Sequence, residues 1–339
     1  MERARRSAAG GGVTTNVIGD SALLAAARRG DEQAFVQLTT PHRRALHRHC
    51  YRMLGSLDDA DDALQEVMLR AWRALPRYEP DAPLAAWLYR IATNTCLTAA
   101  GRRARDRAGI DRFLQPYPDA LLDDVPSVEA GPEVVVEERE SISLALVAAM
   151  QTLPPKQRAV LILREALGWS AREVADVLDD TVPAVNSALQ RAREGLERER
   201  ADGGLVRAHA PAGSAVQTRV MRRFVEAWEA VDVPRLISLL SDDALLTMPP
   251  EPMWLVGREA IGGFFSTVPA GGDLTRMWLV PTAANGQPAL AAYFSEAPGT
   301  PYAAYGVMVF ALAGDAITGI TGFAGYPQLF PALGLPESL

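Results

Sequence analysis

Two sets of side chains carry the chemistry in this sequence, and both suit recognition better than bond making. Asn186, Ser187, Gln190, Arg191 and Arg193 share one side of a helical stretch whose other side holds Val185 and Leu189. Amides, a hydroxyl and guanidinium groups on an outward helix face can hydrogen-bond base edges and phosphates in a DNA major groove. The second set is Trp87, Tyr89, Arg90, Ile91, Asn94 and Thr98, followed by Arg102, Arg103, Arg105 and Arg107. Rings and apolar pockets hold unstacked bases while cations hold phosphates, so this set suits single-stranded nucleic acid. Each set has a plainer reading beside it. The first also fits the solvated face of a packed bundle, and Trp87 and Ile91, four residues apart, also fit a buried stripe.

Helices must position both sets. Leu153–Leu196 has the grammar of a helix-turn-helix. Pro154 and Pro155 can open a helix without losing a bond. Val160, Leu161, Leu163 and Leu167 then recur up to Gly168. Ser170 caps a short helix that turns Val174, Ala175 and Leu178 inward, Asp179-Asp180 makes the turn, and Thr181 caps the helix with Pro183 early in it. The turn often has glycine where Asp179 stands, and aspartate tolerates a left-handed backbone better than most residues.

Upstream, Asp20-Ser21 is expected to cap a short helix ending at Gly30. Asp31 caps the next, with Phe35, Leu38, Leu46, Cys50 and Leu54 on one face, and Pro41 should break or kink it. Ser56 to Ala74 carries an apolar stripe of Leu64, Val67, Met68, Ala71 and Trp72. Its start holds Asp58, Asp59, Asp61 and Asp62. The helix dipole accounts for one or two of these, and four point to a basic partner. Pro76 ends this helix, and a loop leads to a long helix from Leu84 to Arg105.

The net charge of −7 is wrong for a DNA binder only until it is divided. Residues 1–110 carry +5, 111–150 carry −7, 151–210 are neutral and 211–339 carry −5, which sum to −7. Phosphate affinity follows the local patch. Cys50 and Cys96 make no disulfide framework, and His42, His47, His49 and Cys50 are not spaced to surround a metal on one helix, so neither metal nor cofactor is expected. No apolar run reaches membrane-spanning length. Residues 1–19 lack an apolar core of the signal-peptide kind and read as a disordered leader, so a cytoplasmic protein without a membrane partner is expected.

Beyond a Gly/Ala/Pro-rich boundary at 201–215 the pattern changes. Val220, Phe224, Val225 and Trp228 mark a helix, Leu236–Leu240 a second, and Asp242 to Met248 a strand. PPEPMWLVG reads as a loop, Gly257–Phe265 as a third helix, and four strand-like runs follow: Arg276–Thr282, Ala289–Ser295, Tyr302–Leu312 and Ala316–Phe323. Asn285-Gly286 and Ala313-Gly314-Asp315 are hairpin turns. This order predicts an α+β unit with helices on one sheet face. Met253, Trp254, Trp278, Tyr293 and Phe310 read as core and pocket lining. Glu251, Asp232 and Asp273 are not paired by spacing, and no histidine follows His209, so the chain is not expected to be an enzyme.

The string DDADDALQEVMLRAWRALPRYEPDAPLAAWLYRIATNTCL resembles region 2 of the sigma-70 family, more narrowly the extracytoplasmic-function sigma factors, and Leu153–Leu196 resembles region 4 of the same group. The D-D and G-R-E-A-I phrases after residue 216 resemble the SnoaL-like branch of the NTF2-like fold. The resemblance implies a multidomain chain of two all-α domains and an α+β cone: leader 1–19, region 2 at 20–107, acidic linker 108–140, region 4 at 141–200, linker 201–215, SnoaL-like domain 216–330 and tail 331–339. It implies a promoter-specific initiation factor whose Asp61, Asp62, Gln65 and Glu66 dock on the clamp coiled coil of core RNA polymerase, with the polymerase flap as a further contact. Ala74, Tyr78, Trp87, Arg90, Ile91, Asn94, Thr98, Arg102 and Arg103 would hold the −10 element as separated strand. Arg164, Thr181, Pro183, Ala184, Asn186, Ser187, Gln190 and Arg191 would meet the −35 duplex. Asn186 departs from the arginine or lysine usual there. The linker would either be a solvated connector or thread the polymerase channels. The C-terminal domain would regulate by contacting regions 2 and 4. A helix-turn-helix regulator that ignores polymerase, and a pocket enzyme with a DNA-binding appendage, are the alternatives.

Overall fold

The computed structural model describes residues 14–79, 83–106, 114–122, 142–201, 214–297 and 299–339. The first part of the expected leader and most of both expected linkers lie outside them.

The front unit has four helices, α1 (Thr14–Arg28), α2 (Glu32–Leu54), α3 (Leu57–Ala74) and α4 (Leu84–Asp106). Asp31 caps α2 by accepting from the Ala34 amide at 3.0 Å, and Ser56 caps α3 by accepting from the Asp59 amide at 3.2 Å. Gly55 ends α2 in a left-handed conformation, φ 73°. Two expectations are corrected. Residues 14–19 are helical, so α1 begins before Asp20. Pro41 does not break α2, which runs unbroken from Glu32 to Leu54. Pro41 and Gln37 both face solvent, so the carbonyl that loses its partner can reach water.

The second unit is α5 (Leu144–Thr152), α6 (Pro155–Leu161), one wider turn at Ile162–Ala166, α7 (Ala171–Leu178) and α8 (Val182–Ala201). Ser170 and Glu173 form a reciprocal capping box, at 3.2 and 2.7 Å. Asp179 takes the left-handed turn conformation, φ 51°. Val174, Val185 and Ala192 are fully buried at the helix crossings.

The third unit places α9 (Ala215–Glu229), α10 (Val233–Ile237) and α11 (Arg258–Thr267) on one face of a six-stranded sheet ordered β2-β1-β6-β5-β4-β3. The strands are β1 (Leu240–Met248), β2 (Glu251–Val256), β3 (Met277–Ala284), β4 (Gln287–Phe294), β5 (Ala303–Ala313) and β6 (Ala316–Ala324). Neighbours are antiparallel except β1 with β6. Phe224, Trp228, Phe265 and Phe310 fill the space under the helices. The second helix stops at Ile237, because Leu240 already begins β1. The expected PPEPMWLVG loop contains β2, an edge strand, where proline costs no ladder bond that a neighbour needs. Of the residues expected as core or pocket lining, Trp254 and Trp278 are half exposed on the two edge strands at 53% and 49%, and Trp254 borders a cavity. The tail is pinned rather than loose: Ala304 N donates to Glu337 O and Leu339 N to Tyr302 O.

The outer sheet face packs on the helical units. Ala284, Ala289, Ala291, Val307 and Val309 belong to the same buried cluster as α2, α4 and α6. Between them runs part of the connector. Leu114 to Pro118 are buried, so over these residues the solvated-linker reading fails.

Candidate nucleic-acid interface

On α4 the side chains split by face. Leu88, Ala92 and Cys96 are fully buried, and Thr93 meets His49. Arg90, Asn94, Thr98 and Arg102 stand four residues apart and are all exposed, which makes one continuous outward row. Among the described residues the Asn94 amide and the Arg90 guanidinium have no side-chain partner, and Thr98 Oγ1 donates to the Asn94 carbonyl at 2.8 Å. Ile91 is half buried beside this row. Tyr78 and Trp87 are brought together, ring centroids 4.8 Å apart, with Arg28 over the Tyr78 ring at 5.9 Å. Tyr78 is only 6% exposed, so its ring is packed beneath Trp87 rather than open to solvent. Ala74 lies half buried near the end of α3, and the Arg103 side chain is outside the described set.

On α8, Thr181, Pro183, Asn186, Ser187, Gln190 and Arg191 are exposed and Ala184 is half buried. Arg191 donates to Ser187 Oγ at 2.8 Å and Gln190 to Glu194 at 3.0 Å, which preorganises two long side chains. Arg193 pairs with Glu165 at 2.6 Å. Arg164 is turned inward instead: it donates to the Trp169 carbonyl, and its Nε is buried without a partner.

On α3, Asp61, Asp62 and Gln65 are exposed, and Leu69 beside them is 45% exposed although large and apolar. Glu66 accepts from Arg70 at 2.6 Å, which holds its carboxyl below the usual range. Asp61 lies 3.1 Å from His47 Nε2, and His47 Nδ1 meets the Tyr117 hydroxyl of the connector at 2.8 Å. Burial pushes His47 down, and the Asp61 charge partly restores it.

The units are joined by buried polar groups that the sequence did not mark. Arg158 of α6 donates to the carbonyls of Met150, Gln151 and Leu153, and also to the Met53 carbonyl at the end of α2. One guanidinium thus ties two helix C-termini together, where cations are favoured. Asn285, 1% exposed at the β3–β4 turn with φ 60°, accepts from Tyr117 N at 2.7 Å and donates to Ile142 O at 2.8 Å and to Tyr51 Oη at 3.0 Å. Next to it, Gly286 N donates to Asp119 at 2.8 Å, and Gln287 accepts from Leu144 N at 2.8 Å. Tyr89 of α4 meets Trp169 edge to face at 5.5 Å. Asn285 was legible only as a turn residue, and nothing local distinguishes Arg158 from any other arginine.

A helical unit with an exposed cation–amide row, followed by a helix-turn-helix with a polar outer face, has the build of a DNA-binding chain. The comparisons agree unit by unit. Residues 38–106 match the model for sigma-70 region 2, residues 143–196 that for sigma-70 region 4, and residues 221–320 that for the SnoaL-like domain. The ECF RNA polymerase sigma factor SigG of Mycobacterium tuberculosis is 41% identical over 330 residues, spanning 92% of this chain and 86% of the relative. SigM of the same organism is 37% identical over 179 residues, 53% of this chain and 83% of SigM. The crystal structure of the M. tuberculosis extracytoplasmic function sigma factor SigJ shares the fold at a TM-score of 0.58 and 20% identity, covering 87% of this chain and 98% of that one. The chain belongs to the ECF RNA polymerase sigma factors. It directs transcription as a partner of core RNA polymerase and promoter DNA, and it carries a SnoaL-like domain. Among the described residues no helix is long and apolar enough to cross a membrane.

Proposed function

We propose that region 2 (20–107) takes the separated −10 strand along the Arg90–Asn94–Thr98–Arg102 row, with Ile91, Ala74 and the Tyr78–Trp87 pair beside it, and with Arg103 as a further contact that the family resemblance implies. Region 4 (141–200) enters the −35 duplex with Asn186, Ser187, Gln190 and Arg191, flanked by Thr181, Pro183 and Ala184. Asp61, Asp62, Gln65 and Glu66, with the exposed Leu69 between turns, form the face for the polymerase clamp coiled coil, and region 4 meets the flap. Work with polymerase places the protein in the cytoplasm. The observation that carries this reading is the unpartnered Asn94 amide at the centre of an exposed cationic row. An amide both donates and accepts, as a base edge requires.

The SnoaL-like domain acts as a regulator and not as an enzyme. Its cone-interior cavity, about 80 Å³, is lined by Trp228, Met248, Phe264, Met277 and Met308, with no carboxylate or imidazole among its described lining residues. Of the groups general acid–base chemistry draws on, the described lining holds one phenol, Tyr305, with no carboxylate or imidazole to pair with it. The domain holds regions 2 and 4 and the connector together through Asn285, a resting arrangement that must loosen before the connector can thread the polymerase.

Asn94→Ala tests the −10 assignment. Open-complex formation on a promoter should fall by about 5- to 150-fold, as expected for losing a good base contact of about 1–3 kcal/mol, while capture of core polymerase is unchanged. Wild-type opening by the variant would remove Asn94 from the site.

A further inference from the structure

A second cavity lies outside the cone, on the sheet face turned towards region 4. It measures about 180 Å³. One wall is α5, where the small residues Ala145, Ala148 and Ala149 leave the space. The other is the outer sheet face, with Val309 and Ala311, and the β1–β2 hairpin closes it with Pro250, Met253 and Trp254. For scale, an engineered apolar cavity of about 150 Å³ is enough to bind benzene. The walls are mostly apolar, and the rim is not neutral: Glu199 of α8 and Glu251 of β2 both border it. Neither carboxylate has an ion-pair partner among the described residues. Trp254, half exposed, adds an aromatic face that attracts cations.

We propose that this crevice is a binding site for a small aromatic monocation, a single ring on a short ammonium tail. The ring fills the alanine-lined space, and the ammonium meets Glu251 and Glu199 at the rim. The inference rests on the docked arrangement above, because the two walls belong to different domains. A ligand that touches both walls binds the docked chain better than the open one. It therefore favours docking by mass action and lowers transcription.

Calorimetric titration of the full chain with 2-phenylethylammonium, 2-phenylethanol and phenylacetate is the test. Saturable binding should follow the order cation, alcohol, anion. Glu251→Gln should weaken the cation by about two- to fivefold, the range of an exposed ion pair, and leave the alcohol unchanged. Ala148→Met should abolish binding of all three, with circular dichroism confirming the fold; the wild-type ranking stands without this variant. Equal affinity for the three probes would overturn the proposal. So would the absence of saturable binding, the result expected if the chain's own residues 202–213 cover the crevice. Asn285→Ala separates the two readings. If no probe binds yet this variant still alters transcription, the site is wrong and docking stands. If the cation binds wild type and Asn285→Ala equally, the coupling between the crevice and docking fails.

Discussion

Asn186 projects from α8 with no side-chain partner among the described residues, at a position where the sigma-70 resemblance leads one to expect arginine or lysine. Side-chain geometry gives the exchange a consequence. An amide pairs with adenine through N6 and N7, whereas a guanidinium pairs with guanine through O6 and N7. Asn186→Arg should therefore move the preference at one −35 position from adenine to guanine. The change should be about 5- to 150-fold in relative affinity, corresponding to about 1–3 kcal/mol per good pair. Competition binding against duplexes that vary each −35 base in turn reads this directly. A preference that does not move would mean that Asn186 touches only backbone or nothing. Arg191 on the same helix is already held against Ser187, so any contact it makes costs less ordering than one made by a free side chain.

At the scale of elements, α2 and α4 are fastened by a neutral imidazole. His49 is fully buried, with Nε2 at 2.9 Å from Thr93 Oγ1, and burial, with a smaller push from Arg52, lowers it to about 3. The unfolded chain takes up a proton near pH 6.5, and the folded one does not until about 3. Stability is therefore complete above about pH 6.5 and is lost as the pH falls from there towards 3, at up to about 1.4 kcal/mol per unit. His49→Gln keeps a hydrogen-bonding group and removes the titration. Between pH 7.5 and 5.5 the wild type should lose about 1.4 kcal/mol more unfolding free energy than the variant. Equal losses in urea titrations at the two pH values would show that His49 is not buried neutral. Local grammar made these elements legible: Asp31, Ser56, Ser170 and Asn285-Gly286 each act within a few residues. Pro41 and Pro252 of β2 misled because their cost depends on which side of the chain meets water or a sheet edge, which is a tertiary fact. The outward rows of α4 and α8 were legible for the same local reason. What sequence could not place was the junction, because the bonds from Arg158 to Met53 and from Asn285 to Tyr117 and Tyr51 span 105, 168 and 234 residues.

Those long-range bonds decide how the whole molecule behaves. The front of the chain is basic and the C-terminal domain acidic, yet the bonds of the Asn285 side chain run between an amide, a phenol and backbone groups. Such a junction is insensitive to salt and depends on one side chain being present. Asn285→Ala leaves Tyr117 N and Ile142 O unpaired in a buried place, at about 1–3 kcal/mol for each stranded group. Opening exposes both to water and relieves that penalty, so the substitution favours the undocked chain. A shift of about 3 kcal/mol multiplies the open fraction by roughly 150. Transcription by core polymerase with limiting sigma factor should rise in Asn285→Ala towards the level of a chain ending at residue 210. Tyr51→Phe, which strands one backbone group, the Gln115 carbonyl that the Tyr51 hydroxyl donates to at 2.7 Å, where Asn285→Ala strands two, should give a smaller rise. A fall in both variants would mean that the docked arrangement is the one polymerase accepts, and that the SnoaL-like domain assists initiation rather than restraining it.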